Sequence, residues 1–169
     1  MFQGERRRSF ETVVRAHAAD LYRYGFWLCR DRFVAEDLVQ ETFTRAWKAW
    51  GDLKDPQAAK AWLFSILHRE HARLYERKRL DSEALDPDAE WASAEPAVES
   101  ALSTREALER LPPAYREPLL LQVLGGFACA EIAAALEISE AAVLQRVSRA
   151  RRAMRETLSQ GDELWTQAK

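Results

Sequence analysis

The chain has 169 residues, 47% of them hydrophobic and 31% charged, with a formal net charge of −2. That length holds one ordinary domain or two small ones, and the composition is globular rather than disordered. A near-neutral total excludes a global basic field, so a polyanionic partner would have to meet a local cluster of cations.

Cys29 and Cys129 are the only cysteines and lie far apart, with no Cys or His at ligand spacing, which points to a reduced, cytoplasmic protein. The start "MFQGERRRSFETV" is basic but lacks the apolar segment of a signal peptide. No apolar run approaches the ~18 residues of a membrane span, so no direct membrane insertion is expected.

Almost every segment reads as helix. From Phe10, positions Val13, Val14, His17, Leu21, Tyr24 and Leu28 recur at three- and four-residue spacing and predict one buried stripe, with Ser9 as N-cap. "AEDLVQETFTRAWKAW" (Ala35 to Trp50) predicts a second helix, with Gly51 at the position just past its end. It sets Asp37, Gln40, Glu41, Thr44 and Lys48 on one side and Val39, Phe43, Ala46 and Trp50 on another. "GDLKDP" is a loop, and a third helix from Gln57 to about Arg79 buries Ala59, Trp62, Leu63, Ile66 and Leu67. That helix carries Lys60, Arg69, Arg73, Arg77, Lys78 and Arg79, with Trp62, Phe64 and Tyr75 between them. Arg69, Arg73 and Arg77 are four apart and form a cationic rail of the kind that follows single-stranded nucleic acid. Trp62 and Phe64 read more readily as core than as stacking platforms. His68 and His71 have metal-pair spacing but no third ligand, so no metal or other cofactor is expected.

Leu80 to Ser100 then holds seven acidic residues, two prolines and no Lys or Arg. Such a stretch buries too little apolar surface to offset its ordering entropy and predicts a flexible acidic linker, with Trp91 its odd member. Helical spacing resumes from Ala101 through Leu102, Arg105, Leu108 and Leu111 and breaks at Pro112-Pro113. "AYREPLLLQVL" predicts the next helix, with Pro118 in or near its first turn, and "GGF" ends it.

Two short helices follow. Ile132, Ala133 and Leu136 give the first an apolar face, "EIS" is a turn, and Ser139 caps the second. Val143 and Val147 turn inward, while Arg146, Arg149, Arg151, Arg152 and Arg155 turn outward. Helix, turn and capped helix with an arginine-loaded face is the plan of a helix-turn-helix, whose second helix enters a major groove. The arginine fork can bond phosphates and guanine edges bidentately. The expected architecture is therefore all-α: residues 1–80, an acidic linker over 81–100, and 101–169 with the helix-turn-helix. There is no Gly-rich phosphate loop and no nucleophile with a recognisable base, so no enzymatic activity is expected.

The order and spacing of these motifs resemble a bacterial RNA polymerase sigma factor of the small, two-domain extracytoplasmic-function (ECF) group, from Phe10 to about Leu158. "AEDLVQETFTRAWKAW" is similar to the core-binding helix of region 2, "AKAWLFSILHREHARLYERKR" to its promoter-melting helix, and "LERLPPAYREPLLLQVLGGFACAEIAAALEISEAAVLQRVSRARRAM" to region 4. The resemblance implies that Asp37, Gln40, Glu41, Thr44 and Lys48 bind the clamp helices of the polymerase largest subunit. It implies that Leu53, Lys54, Asp55 and Gln57 form a loop taking a flipped-out base of the −10 element. Lys60, Arg69, Arg73 and Arg77 would follow the melted strand. Within a helix-turn-helix from Ala130 to Ala150, the −35 contacts would come from Ser139, Gln145, Arg146, Arg149 and Arg152. Further implied partners are promoter DNA, the flap of the second-largest subunit, and an anti-sigma factor that could hold the protein at the inner membrane. The acidic linker would run through the polymerase's RNA path. Where the family often carries Gly-Thr-Val-Lys-Ser, this chain has "AAVLQ", so Ala141, Ala142 and Leu144 lack the hydroxyl and amine for phosphate or base. Cys129 reads as a small helical filler, with a redox role as its alternative. The alternative for the whole chain is a stand-alone helix-turn-helix regulator with an N-terminal dimerisation or sensing domain.

Overall fold

A computed structural model describes residues 2–82 and 104–167. These residues form helices α1 (Phe2–Cys29), α2 (Arg32–Ala49), α3 (Ala59–Ser82), α4 (Thr104–Arg110), α5 (Pro113–Gly125), α6 (Cys129–Leu136) and α7 (Glu140–Gln167). Among them there is no strand, as an all-α fold requires. Most of the predicted linker, including Trp91, lies outside the described residues.

The first three helices share an apolar interior. α1 contributes Leu21 and Tyr24, α2 contributes Leu38, Val39 and Ala46, and α3 contributes Leu63, Phe64, Ile66 and Leu67. Burying each of the larger side chains stabilises by about 1.5–3 kcal/mol before chain entropy is counted. α1 ends at Arg30, whose φ of 57° turns the chain into the left-handed region. Asp31 then caps α2, its carboxylate accepting from the amides of Phe33 and Val34 at 2.8 and 3.0 Å. Aromatics at the end of α2 and just past it close on Phe10: ring centroids lie 5.2 Å away at Trp47 and 5.1 Å at Trp50. Trp50 in turn meets Trp62 of α3 at 6.2 Å. That cluster joins all three helices and accounts for so many large rings on a short segment.

In the second half, α5 and α7 pack on each other, and α6 contacts both. Ile132 and Val143 are fully enclosed, and Val147 and Ala150 continue the buried stripe of α7. Ser139 caps α7 as expected, its hydroxyl accepting from the Ala142 amide at 3.1 Å. The turn before it is made by Glu137, at φ 56°.

The boundaries differ from expectation in instructive ways. α1 begins at Phe2, so Ser9 lies inside a helix and caps nothing. α2 begins at Arg32, and Gly51 sits in a 3-10 turn, Trp50–Asp52, rather than at a left-handed helix end. Pro56 opens a second 3-10 turn, Pro56–Ala58, ahead of α3. α3 continues to Ser82, past the boundary expected at residue 80. Pro113 occupies the start of α5, where its missing N–H costs nothing, and this places Pro118 inside the helix, buried. The last helix is long, because nothing after Ala150 in "RRAMRETLSQ" breaks a helix.

The two halves are not held apart. α1 contacts α5, α3 contacts α6, and the buried residues of both halves join one cluster.

Candidate protein and nucleic-acid interfaces

The outer face of α2 is polar, exposed and slightly concave. Asp37, Gln40, Glu41, Thr44 and Lys48 are all exposed, as their spacing predicts. The first four line a depression of about 660 Å³ together with Glu70, Leu74 and Arg77 of α3. Lys48 lies a turn beyond it. Behind this surface runs a chain of alternating charge. Glu41 and Glu70 approach Arg45 Nε at 2.8 and 2.9 Å, and Arg73 donates to Glu70 at 2.8 Å. Neither carboxylate lies along the Arg45 N–H, so those two contacts are Coulombic rather than hydrogen bonds. Glu70 is 7% exposed, a buried acid in a basic helix that periodicity alone does not reveal. The two arginines that flank it account for its burial.

The candidate −10 residues fall into three groups. In the loop, Lys54, Asp55 and Gln57 are exposed and Leu53 is half-buried. Asp55 has a structural task there, accepting from the Gln57 amide at 2.9 Å to cap the 3-10 turn. On α3, Arg69, Arg73 and Arg77 are exposed along one side, with Arg69 folded back onto the Ser65 carbonyl at 3.1 Å and Arg77 also bordering the α2 depression. Lys60 stands apart from this rail. Its ammonium donates to the carbonyl of Gly125 at 2.6 Å, lies 5.4 Å over the Phe127 ring, and is 3.5 Å from Asp20. Phe64 is fully buried, against Tyr24 on one side and Phe127 on the other, so it is core and not a stacking platform.

On the helix-turn-helix, Gln145, Arg149 and Arg152 are exposed and Arg146 is half-buried. Arg149 reaches the Tyr115 hydroxyl at 3.3 Å, Arg151 donates to Gln122 at 2.7 Å, and Arg152 pairs with Glu156 at 2.8 Å. Leu144, 58% exposed, borders a mainly apolar groove of about 860 Å³. Val123 and Cys129 line the same groove, as does Trp27 of α1. Cys29 and Cys129 are both half-buried and are not joined by a disulfide. Among the described residues no group of three or more His, Cys, Asp or Glu is placed to hold a metal ion.

Where the halves meet, several ionisable groups are enclosed. Burial pushes the His68 imidazole below its ordinary value, with Glu137 pulling it up and Arg69 down. Burial pushes the Glu117 carboxyl up, opposed by Arg116 and Arg146. The two face each other at 3.9 Å, but burial favours the neutral form of each, so the contact is not a full ion pair. Tyr24 is raised well above its ordinary value by burial and by the charge of Glu117. Arg30 bridges the halves to Glu109 at 3.1 Å.

The sequence profile of Sigma-70 region 2 matches residues 13–80, and that of Sigma-70, region 4 matches residues 101–154. The chain is 33% identical to the ECF RNA polymerase sigma factor SigL of Mycobacterium tuberculosis over 85% of each chain. It belongs to the ECF sigma factor family. A Xanthomonas campestris pv. campestris protein described as a probable RNA polymerase sigma factor, RfaY, is 35% identical over 91% of this chain. The chain spans 41% of the length of RfaY and 62% of that of the Mycolicibacterium smegmatis ECF sigma factor SigE. Among solved structures, the sigma factor RpoE of Bartonella quintana, in complex with the anti-sigma factor NepR, superposes with a TM-score of 0.71. The identity to RpoE is 29%, with 89% of this chain and 96% of that one covered. CnrH, in complex with the cytosolic domain of CnrY, superposes with a TM-score of 0.66 at 27% identity, covering 90% of this chain and 89% of that one. In this ECF sigma factor the region 2 match runs from within α1 to within α3, and the region 4 match takes in α4, α5 and α6 and ends within α7.

Proposed function

We propose that this chain directs core RNA polymerase to specific promoters, acting by binding and without catalysis of its own. The observation that carries the reading is the pairing of two surfaces in one ECF sigma chain. One is the exposed depression of Asp37, Gln40, Glu41 and Thr44 on a helix whose back is core. The other is the Ser139-capped, arginine-bearing helix of the helix-turn-helix. The first would receive the clamp helices of the largest subunit. The second would read the −35 element as duplex through Gln145, Arg146, Arg149 and Arg152. The Leu53–Gln57 loop would capture a flipped base of the −10 element, and Arg69, Arg73 and Arg77 would follow the strand it leaves. The apolar groove beside α5 and α7 suits a helix of a protein partner, and we assign it to the flap of the second-largest subunit.

An anti-sigma factor is a further proposed partner, since RpoE has been solved with the anti-sigma factor NepR. No described helix is long and apolar enough to cross a membrane, so a place at the inner membrane would come from that partner and the chain itself would be cytoplasmic. The test is run-off transcription with core polymerase on fragments around mapped start sites. Transcripts should require the chain. Tight binding to palindromic duplex without any dependent transcript would favour the stand-alone regulator instead.

A further inference from the structure

The rotation of α7 is fixed from its inner side. Val143 and Ala150 are fully buried and Val147 is 6% exposed, so the opposite face meets solvent. Ala141, Gln145, Arg149 and Arg152 recur on that face and are all exposed. Their side chains are not equally free. Arg149 is drawn to the Tyr115 hydroxyl of α5 at 3.3 Å, and Arg152 is held by Glu156, one turn further along, at 2.8 Å. Arg146 is half-buried on the flank, where its charge acts on Glu117. The carboxamide of Gln145 has no hydrogen-bond partner among the described residues. In a helix-turn-helix it is the first turns of the second helix that reach base edges. Gln145 lies in the second turn of α7, and Arg152 lies about 10 Å beyond it along the axis. Around Gln145 the first turn is stripped to methyl groups. Ala141 and Ala142, in the string "AAVLQ" that departs from the family's usual motif, extend no further than Cβ and let a base pair come close to the helix. The hydroxyl of Ser139 accepts from the Ala142 amide at 3.1 Å and holds this turn in place.

We propose that Gln145 is the base-selecting residue of the −35 contact and that it selects adenine: its amide nitrogen donates to adenine N7, and its carbonyl oxygen accepts from the adenine N6 amino group. The inference deepens the reading of α7 as a duplex reader and rests on it. A carboxamide sets one donor beside one acceptor. Adenine offers the complementary pair on its major-groove edge, whereas guanine offers two acceptors there. The methyl group of Ala141, one turn earlier, meets the C5 methyl of a neighbouring thymine. Arg149 and Arg152, tethered past the first turns, take phosphates, which sets the protein on the duplex without choosing a sequence. Sequence choice and electrostatic grip are thus carried by different residues of one helix.

The experiment uses the holoenzyme, assembled from core polymerase and the full chain, and a duplex promoter fragment from which it starts transcription. Each adenine of the −35 element is replaced in turn by 7-deazaadenine, which lacks N7, and by purine, which lacks the N6 amino group. Affinity is measured by competition. At one adenine both replacements should weaken wild-type binding about tenfold. Gln145→Ala should lose a similar factor on the unmodified fragment and become indifferent to both replacements at that position. Gln145→Arg should change the preferred base there from adenine to guanine. Arg149→Ala should weaken binding to every fragment by the same factor and keep the wild-type base preference. Gln145 is exposed, so neither of its substitutions disturbs packing. A Gln145→Ala holoenzyme that still discriminates against 7-deazaadenine at that position overturns the assignment. So does a wild type that tolerates both replacements throughout the element. Run-off transcription by the wild type judges the parent reading separately. Transcripts that depend on the chain, with an unchanged base preference in Gln145→Ala, remove the Gln145 assignment alone.

Discussion

The outer face of α2 and the first turns of α3 both carry residues proposed to bind a partner, yet only one of them is open. Asp37, Gln40, Glu41 and Thr44 face solvent in a shallow depression, whereas Lys60 is spent on a carbonyl of region 4 and Phe64 is sealed beneath Phe127. The difference lies in what stands opposite. α2 turns its apolar side to Phe10 and leaves its polar side exposed, while the first turns of α3 meet Gly125 and Phe127. A surface of either kind can be written in sequence, but its availability is a property of the assembled chain.

The largest effect should come from the closed side. Phe64→Ala removes a fully buried ring shared by both halves and should cost about 3–5 kcal/mol, seen as a lower urea midpoint. An unchanged midpoint would mean that the sealed region contributes nothing to stability. On the open side, reversing Asp37 and Glu41 together to Arg should weaken core binding about tenfold, mostly through a slower on-rate, with helicity unchanged. Equal affinity in a binding titration would take the depression out of the polymerase interface. On the helix-turn-helix, Arg149→Ala should weaken duplex binding a few-fold and lower the salt slope by about one. A slope equal to wild type would show that Arg149 meets no phosphate.

The smallest effect concerns protons at the junction. His68 is depressed from 6.5, so its stabilising contribution is complete above that pH and is lost as pH falls through its folded value. Glu117 is raised from 4.5, so its contribution is complete below 4.5 and is lost as pH rises through its folded value. His68→Gln should keep a constant offset from wild type above pH 6.5. Below it, the wild type alone should lose stability, read as converging or crossing melting temperatures. Parallel curves down to pH 5 would place His68 in solvent.

How much of this was legible depended on range. The cap at Ser139, the inward Val143 and Val147 and the exposed side of α2 were readable, because each follows from neighbours within two helical turns. The start of α1 at Phe2 was not, since "QGERRR" has no apolar period and α1 is held there by Arg6 stacked on Trp47 at 5.3 Å, a contact between segments distant in sequence. Pro118 was misplaced because Pro113 had already opened the helix. Glu70 went unseen because its burial depends on Arg45 from another helix. The meeting of Phe64 with Phe127 was equally hidden, for "GGF" reads locally as a helix stop and nothing more. Local rules give surfaces their chemistry; long-range packing decides which are covered.

The charge chain Glu41–Arg45–Glu70–Arg73 carries one more implication. Its signs alternate and sum to zero, so it acts as an electrical seam between the carboxylate-bearing ledge of α2 and the guanidinium ledge of α3. The two proposed docking sites, of opposite polarity, can then sit side by side on a small body without quenching each other.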